Sequence, residues 1–229
     1  MEINKEKIIV FGTGVMADLI HYYFKHDSSF EVVAFAVNKD CLRDKKFHGL
    51  PVVAFEDVET VYPPQEYKMF IPLDYKRTNK FRAEKYDQAK KKGYKLVSYV
   101  SSKAITWPQL KLGENCFIGE GNVIQPFVEL GDDVFLWTAN HVGHHTQIKD
   151  HSFVLSNVMV SAGVTIEPYS FLGVNSTIGN NLTVAQESII GAGTLILENT
   201  NPKGVYLGAK AQLDAPSSDH VTDSDILKR

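Results

Sequence analysis

The 229-residue sequence has little cysteine, no excess of positive charge and no long apolar run, and each absence disfavours a class of protein. Cys41 and Cys116 lie far apart without the spacing of a zinc site, so we expect reduced thiols and a cytoplasmic protein without a metal. A net charge of −3, with no stripe of lysine and arginine, argues against nucleic-acid binding. No segment reaches the roughly 18 apolar residues that span a bilayer, and residues 1–7 lack a signal-peptide core. We therefore expect neither a membrane nor a nucleic-acid partner.

A six-residue repeat dominates the second half of the chain. Fifteen consecutive hexapeptides run without insertion from Leu112 to Asn201, and the first residue of every one is aliphatic. The fifth residues are mostly small or β-branched, and Gly, Asn, Asp and Ser occupy the positions between, as in turns between short strands. A fixed period this short is typical of a β-solenoid. Each aliphatic side chain buried in its core contributes roughly 1.5–3 kcal/mol.

A longer period of eighteen residues divides the sixth positions of the hexapeptides into three columns. The first column is apolar and consists of Phe117, Phe135, Phe153, Phe171 and Ile189. The second is mixed and consists of Val123, His141, Met159, Thr177 and Leu195. The third has no aliphatic or aromatic residue and consists of Glu129, Gln147, Thr165, Thr183 and Asn201. The pattern predicts a triangular prism with eighteen residues per coil. The first column is too apolar to be left in water, so we expect it to face a neighbouring subunit.

The residues before the repeat alternate between strand and helix patterns, which favours an α/β domain with a parallel sheet. Strands are predicted near residues 7–11, 31–37, 68–73 and 95–100, with helices up to about residue 24 and over 79–92. Gly12-x-Gly14-x-x-Ala17 is a degenerate dinucleotide fingerprint, whose glycines let the backbone approach a phosphate at a helix N-terminus. Asn38 follows the second strand where an NAD enzyme needs an acidic residue, so an NAD dehydrogenase is disfavoured. A glycine turn used only for packing is the alternative.

A histidine cluster is the chemical centre of the sequence, because four of the eight histidines lie within the eleven residues from His141 to His151. His144 and His141 occupy hexapeptide positions at or near a corner of the prism, directed away from the aliphatic core. An imidazole there is suited to accept a proton from an attacking amine or hydroxyl near neutral pH. Metal binding and ordinary surface hydrogen bonding are the alternatives, although the cluster lacks a cysteine or glutamate partner.

With these motifs, the segment from about Ser101 to Gln212 resembles the left-handed parallel β-helix of the hexapeptide acyltransferases. Nearly the whole chain is similar to the sugar acyltransferases that carry a Rossmann-like domain in front of that helix. This group includes sialic acid O-acetyltransferases and nucleotide-4-amino-sugar N-acetyltransferases. The resemblance implies a homotrimer with active sites between subunits. It also implies three parts, a Rossmann-like nucleotide-sugar-binding domain at 1–100, a left-handed β-helix at 101–213 and a mobile tail at 214–229.

The family's histidine motif aligns without gaps on the residues from His144 to Asp150, which implies that His144 is the catalytic base. The acidic residue that follows the family's base is replaced here by His145. Either Asp150 supports the imidazole instead, or the base acts unsupported. The family's second histidine, near the thioester, becomes Phe153, which we expect to offer apolar surface to the cofactor.

The resemblance also implies the two substrate-binding regions. The glycine turn, with Gly12 and Gly14, would cradle the diphosphate of a nucleotide sugar, and Asn38 would lie near its base. The acceptor sugar would lie beside Asn140 and His141. Acetyl-CoA would meet backbone amides of a small-residue corner at Ala162 and of a late glycine segment that contains Gly191, Ala192 and Gly193. Lys210 would lie near the CoA phosphates.

The implied function is transfer of an acyl group, most simply acetyl, from acyl-CoA to the amino group of a nucleotide-linked deoxy sugar. Such a reaction would serve the synthesis of a surface polysaccharide or glycoconjugate. Two alternatives stay open. One is O-acetylation of a sugar hydroxyl, and the other is a non-catalytic protein that binds a nucleotide sugar or CoA.

Overall fold

The computed structural model describes residues 5–211, and the expected tail at 214–229 lies outside them. The N-terminal region forms one mixed sheet of five strands in the order β3-β4-β2-β1-β5. Its strands are β1 (Glu6–Phe11), β2 (Phe30–Val37), β3 (Lys46–Phe47), β4 (Leu50–Ala54) and β5 (Lys68–Phe70). Its helices are α1 (Val15–His26), α2 (Val58–Val61) and α3 (Lys80–Lys91). Only the pairing of β3 with β4 is antiparallel, and neither of these two short strands was predicted from the sequence.

Alternation along the strands gives the sheet two apolar sides. Ile8 and Val10 of β1 share one buried cluster with α1 and with aromatic residues of the following repeat. Ile9 and Phe11 face the other way, into a cluster that includes Tyr86 of α3. The sheet is therefore covered on one side by α3 and on the other by α1 and the repeat region.

The repeat region winds into coils whose strands pair in parallel, eighteen residues apart, in three sheets. The phenylalanine face contains Tyr99–Val100, Phe117–Ile118, Phe135–Leu136, Phe153–Val154, Phe171–Leu172, Ile189–Ile190 and Val205–Tyr206. The histidine face contains Val123–Ile124, His141–Val142, Met159–Val160, Thr177–Ile178 and Leu195–Ile196. The polar face contains Lys111–Leu112, Glu129–Leu130, Gln147–Ile148, Thr165–Ile166 and Thr183–Val184. These stacked rungs fit a left-handed β-helix, and the first residues of the hexapeptides form its core.

The coils extend beyond both ends of the sequence repeat. Tyr99–Val100 pairs with Phe117–Ile118, so the end of the strand predicted at 95–100 belongs to the β-helix and not to the N-terminal sheet. At the other end, Val205 pairs with Ile189, sixteen residues earlier instead of eighteen. This change of spacing is why the repeat is lost from the sequence there.

Every corner is built on a left-handed backbone conformation. From residue 115 to residue 193, every sixth residue has a positive φ. Most of them are Asn, Asp or Gly, which tolerate this conformation at low cost. The exceptions have φ values from 58° to 65°, and they are Phe127, Ala139, His145, His151, Tyr169 and Glu187.

The phenylalanine face is covered by the N-terminal region of the same chain. Phe117 and Phe135 are 0% exposed and Phe153 is 1% exposed. The ring of Phe70 in β5 stacks on Phe135 with 6.0 Å between centroids, and the ring of Tyr23 in α1 lies 5.5 Å from that of Phe117. The prediction that this face contacts a neighbouring subunit is therefore wrong. Its physical basis was right, because the stripe is withdrawn from water, but the partner surface is intramolecular.

A buried ion pair joins the two regions. Arg82 of α3 and Asp133 of the β-helix are both 0% exposed, and Arg82 Nε donates to Asp133 Oδ1 at 2.9 Å. The second guanidinium arm donates to the carbonyls of Asp133 at 3.0 Å and His151 at 3.1 Å. Asp133 also accepts from Asn115 at 2.8 Å and contacts His151 Nδ1 at 2.9 Å. The guanidinium lies 4.6 Å from the centre of the Phe135 ring.

A second polar contact fixes the end of α1 to the first coil. The Asp27 carboxylate accepts hydrogen bonds from Tyr99 at 2.7 Å, from the Ser101 hydroxyl at 3.1 Å and from the Ser102 amide at 3.0 Å. Burial alone would raise the pKa of Asp27, but the donors from Ser102, Tyr99 and Ser101 outweigh it and hold the pKa at about 2.

Candidate functional site

The predicted base lies on one edge of the prism, where the histidine face meets the polar face. We call this the histidine edge, and its turns are residues 107–110, 125–128, 143–146, 161–164 and 179–182. Successive turns are stacked at the spacing of neighbouring β-strands, about 4.8 Å. His144 and His145 occupy the middle turn, and both are exposed.

His144 is held at this edge by two contacts. Its backbone N–H donates to Gln125 Oε1 of the preceding turn at 2.9 Å. Its ring Nδ1 lies 3.0 Å from the Nδ1 of His145, a distance at which the two nitrogens share one proton. The ring of His145 in turn lies against Phe127, with 4.7 Å between centroids. Gln125 and Phe127 were not among the predicted site residues, although counting back eighteen residues from residues 143 and 145 would have found them.

Asp150 does not support His144. Asp150 lies in the turn that follows the Gln147–Ile148 strand along the chain, on the edge where the polar face meets the phenylalanine face. Its Oδ1 accepts the backbone N–H of Asp132 at 2.8 Å, so it stabilises a corner of the prism. The group in contact with the imidazole of His144 is His145.

The small-residue corner predicted to meet the thioester lies one turn after His144. Gly163 donates its N–H to the carbonyl of His144 at 2.9 Å, which joins the two turns. A Cβ at Gly143 would lie 2.6 Å from the Ala162 nitrogen, so glycine is required for this close approach. The Ala162 N–H already donates to Asn180 Oδ1 at 3.1 Å. Asn180 must therefore turn away before this amide is able to bind a carbonyl.

A cavity of about 600 Å³ opens on the other side of the histidine pair, among the preceding turns. Its walls are mainly apolar, with two exposed aromatic side chains, Trp107 and Phe127. It shares Gln125 and Phe127 with the surroundings of His144 and His145. The volume is that of an ordinary small-molecule site.

The other predicted cofactor residues lie on a different edge. Gly191, Ala192 and Gly193 form a turn where the phenylalanine face meets the histidine face. This edge and the histidine edge border the same histidine face, so a ligand in contact with both must cross that face. Lys210 is exposed beyond the last rung.

The structure places two predicted site residues away from any ligand surface. Asn140 is 1% exposed, and its amide is bonded to the carbonyl of Trp137 at 3.1 Å and to the N–H of Val158 at 2.8 Å. Phe153 lies beneath the N-terminal region with Arg82 over its ring. Both predicted contacts are wrong because both side chains point into packed interfaces. His141 is half-buried and projects outward from the histidine face, which leaves it accessible.

The predicted nucleotide residues meet at the carboxyl edge of the N-terminal sheet. Gly12 has a φ of 102°, which favours glycine, and its N–H donates to the carbonyl of Ala36 at 2.7 Å. Gly14 caps α1 with an ordinary extended backbone, and a Cβ there would meet nothing within 4 Å. Asn38 follows β2, the neighbour of β1, and its buried Oδ1 has no hydrogen-bond partner within residues 5–211. A phosphate therefore has free access to the N-terminus of α1 beside Gly14.

Neither a metal centre nor a membrane segment is found in the part of the chain that the structure describes. Residues 5–211 contain no group of three or more His, Cys, Asp or Glu side chains placed to hold a metal ion. No helix in the same range is long and apolar enough to cross a membrane.

Comparison with known proteins shows the fold. No protein-family model matches the chain, and no curated protein is similar to it in sequence. Among solved structures, PerB from Caulobacter crescentus, in complex with CoA and GDP-perosamine, is 20% identical with a TM-score of 0.79, over 91% of this chain and 97% of that chain. The acetyltransferase domain of PglB from Neisseria gonorrhoeae, in complex with acetyl coenzyme A, is 19% identical with a TM-score of 0.78, over 90% and 97%.

A further match of the same kind is WeeI from Acinetobacter baumannii. It is 16% identical with a TM-score of 0.53, over 82% of this chain and 94% of that chain. Each of these structures shares the architecture of this protein over most of its length.

Proposed function

We propose that this protein transfers an acyl group, most simply acetyl, from acyl-CoA to the amino group of a nucleotide-linked deoxy sugar. The observation that carries the proposal is the position of His144, an exposed imidazole between a small-residue corner and an open cavity on the histidine edge. Proteins of the same fold bind CoA with GDP-perosamine, or acetyl coenzyme A. Synthesis of a surface polysaccharide or glycoconjugate is the setting that we propose for the product.

In the proposed reaction, the amine nitrogen of the sugar attacks the thioester carbonyl. A C–N bond forms and the C–S bond breaks, which yields an amide and CoA. His144 Nε2 accepts the proton that the amine loses and passes it to the departing sulfur. A positioned base of this kind contributes about 10²–10⁴-fold to the rate. The Ala162 N–H, once released by Asn180, stabilises the charge that develops on the carbonyl oxygen.

We place the donor along the histidine face. The thioester lies at Ala162, and the pantetheine arm crosses towards the exposed turn of Ala192 and Gly193. The N–H groups of Gly191 and Gly193 already donate to Tyr206 and Val174, so the arm contacts the outer surface of this turn. Lys210 lies beyond the last rung, where it is suited to meet the CoA phosphates. The acceptor sugar occupies the cavity beside Trp107 and the outward-facing His141.

We assign the N-terminal region, up to about residue 98, to a Rossmann-like domain that holds the nucleotide. Gly14 leaves room for a diphosphate at the N-terminus of α1, where N–H groups and the helix dipole favour an anion. Within residues 5–211, Asn38 Oδ1 at the same sheet edge is buried without a partner, so a small movement of its side chain would let it accept a hydrogen bond from the base or ribose.

The two halves of this site face apart within one chain. Tyr75, after β5, contacts Phe153 and Phe171, so the carboxyl edge of the sheet lies at about the level of His144 along the prism. However, the N-terminal region covers the phenylalanine face, and the histidine edge is the edge opposite that face. Six residues per side at about 3.3 Å each separate the two by on the order of 15–20 Å of packed core. We therefore propose that a neighbouring subunit brings its nucleotide to this His144.

A homotrimer joined through the histidine faces would supply that neighbour. With the phenylalanine face covered, the exposed apolar side chains of the β-helix include Met159 at 43% and Leu195 at 60%, both on the histidine face. Ile105 precedes them in the same column and is also exposed. A shared interface here would bury these residues and enclose the CoA path between subunits.

The first experiment is a direct assay with acetyl-CoA and a panel of UDP-, GDP- and dTDP-linked amino sugars. We expect CoA release with one amino sugar and none with its hydroxyl analogue. We also expect His144→Ala to lower turnover by about 10²–10⁴-fold while CoA affinity is unchanged. Product from the hydroxyl analogue alone would favour O-acetylation. CoA binding without turnover on any sugar would favour a binding protein, and wild-type turnover in a folded His144→Ala variant would exclude this base.

The second experiment tests whether sites are shared between subunits. Gly14→Asp repels a diphosphate and raises KM for the nucleotide sugar, and His144→Ala removes the base. Each variant alone should therefore be nearly inactive at a sugar concentration well below the raised KM. Randomly mixed trimers should recover about a quarter of the wild-type activity, because that share of the sites takes an intact residue from each chain. No recovery in mixtures shown by mass to be heterotrimers would mean that each site is built within one chain, and a monomeric mass would exclude the trimer.

A further inference from the structure

The backbone at the histidine edge is strained at two successive turns. Phe127 and His145 both have left-handed φ values, of 65° and 60°, at positions where the two later turns of this edge have Gly163 and Asn181. A bulky side chain in this conformation costs roughly 1 kcal/mol or more. The two residues are stacked, one above the other, with 4.7 Å between ring centroids. Strain of this kind persists where a particular side-chain position is needed.

The position that results brings the Nδ1 atoms of His145 and His144 to 3.0 Å. Such a contact holds one proton, with one nitrogen as donor and the other as acceptor. If His144 Nδ1 is the donor, its Nε2 carries the free lone pair that a base needs. His145 then accepts at Nδ1 and carries its own proton at Nε2. The backbone N–H of His144 is already bonded to Gln125, so the ring rotates about a fixed main chain.

We propose that His145, held by Phe127, is the positioning residue of His144. It accepts the Nδ1 proton and thereby selects the tautomer in which Nε2 faces the substrate. The role in catalysis rests on the proposed function, whereas the tautomer does not. His145 thus performs with a neutral ring the task for which a carboxylate is the usual partner of a catalytic histidine.

Among the groups around His144, His145 is the nearest titratable partner of its imidazole. Gln125 and Phe127 of the preceding turn and residues 161–163 of the following turn carry no charge. His141 lies on the same coil, and the paired Lys111 and Glu129 lie at the rim of the cavity. A charge placed at residue 145 is therefore expected to change the pH profile more than a charge elsewhere on the coil.

The test uses two substitutions that suit the backbone. His145→Gly removes the acceptor and relieves the left-handed strain, so the protein should fold at least as well. The matched control for the backbone change is Ala139→Gly. Ala139 has a left-handed φ of 59° in the turn 137–140, which comes just before His145 along the chain but lies on a different edge of the prism. His145→Glu replaces the neutral acceptor with a carboxylate.

We expect His145→Gly to lower kcat by about tenfold, equivalent to about 1.4 kcal/mol, with KM unchanged. Ala139→Gly should match the wild type. In His145→Glu the carboxylate favours the imidazolium form, so the acidic limb of the kcat/KM profile should move to higher pH by about one unit. Wild-type kcat in His145→Gly, together with an unmoved profile in His145→Glu, would overturn the proposed role.

The tautomer is read directly from ¹⁵N-histidine spectra of the full-length protein above pH 8. We expect the wild type and Ala139→Gly to show His144 protonated at Nδ1, and His145→Gly to lose this preference. An unchanged tautomer in His145→Gly would refute the positioning role whatever the activity. If no acyl transfer is found with any substrate, the proposed function fails, and the spectra alone decide the contact between the two histidines.

Discussion

Replacing Arg82 by methionine is the sharpest test of how the two regions of the chain are joined. Met fills much of the space of the arginine stem and keeps contact with the Phe135 ring, but it removes the charge and all four hydrogen bonds of the guanidinium, including the one to Asn79 Oδ1. The carboxylate of Asp133 then stays buried at 0% exposure, and its remaining side-chain partners within residues 5–211 are Asn115 and His151. Breaking a buried pair in this way costs about 3–5 kcal/mol. Since domains are stable by about 5–15 kcal/mol, we expect a large fall in the urea midpoint.

A matched control is available on the same helix. Lys80 of α3 pairs with Glu187 of the β-helix, but its side chain is 42% exposed, so Lys80→Met should cost no more than about 1 kcal/mol. Equal midpoints for Arg82→Met and Lys80→Met at pH 8 would refute the reasoning that the buried pair holds the regions together.

The remaining predictions concern the nucleotide turn, pH and the cavity. Gly14→Asp should change unfolding free energy by only a few tenths of a kcal/mol, since Asp is a good N-cap, yet raise KM for the nucleotide sugar; Gly12→Ala should cost about 1 kcal/mol because its φ of 102° favours glycine. Asp27→Asn should be about 1–2 kcal/mol less stable than the wild type near pH 7. Because the pKa of Asp27 falls from 3.8 to about 2 on folding, this difference should disappear as pH falls from about 4 towards 2 in urea titrations. Trp107→Ala should raise KM for the sugar and leave KM for acetyl-CoA unchanged, and the opposite pattern would assign the cavity to the acyl chain.

The β-helix could be predicted from the sequence because one physical rule repeats in it. Each coil must place aliphatic residues inward at the same phase, so Leu112 and the fourteen later first positions indicate the fold. The same rule located His144 at an exposed corner. Where the phase changes, as between Ile189 and Val205, the six-residue repeat ends although the coils continue.

The errors have a common cause, which is that a single column of residues does not reveal what covers it. The phenylalanine face needed a partner, but its composition is the same whether that partner is another subunit or α1 and β5 of this chain. Phe153 is assigned to a ligand by its alignment with the family's second histidine, and Asn140 by its closeness to His144. In the structure, Arg82 covers the first and Val158 bonds to the second. Arg82 gave no signal, because its partner Asp133 lies 51 positions away.

Because strands pair eighteen residues apart, the length of each coil fixes which residues point into the core of the β-helix. Deleting one residue between His144 and Ala162 would move every later residue by one position along its strand. Because side chains alternate between the two sides of a strand, this shift would turn aliphatic positions towards water. Deleting a whole coil would leave every face intact and shift only the height of the later coils, by about 4.8 Å. The scaffold therefore tolerates changes of length only in whole turns. The N-terminal region is bonded to particular rungs through Arg82 and Asp27. A whole-coil deletion before Phe171 in the sequence would therefore also move the histidine edge relative to that region.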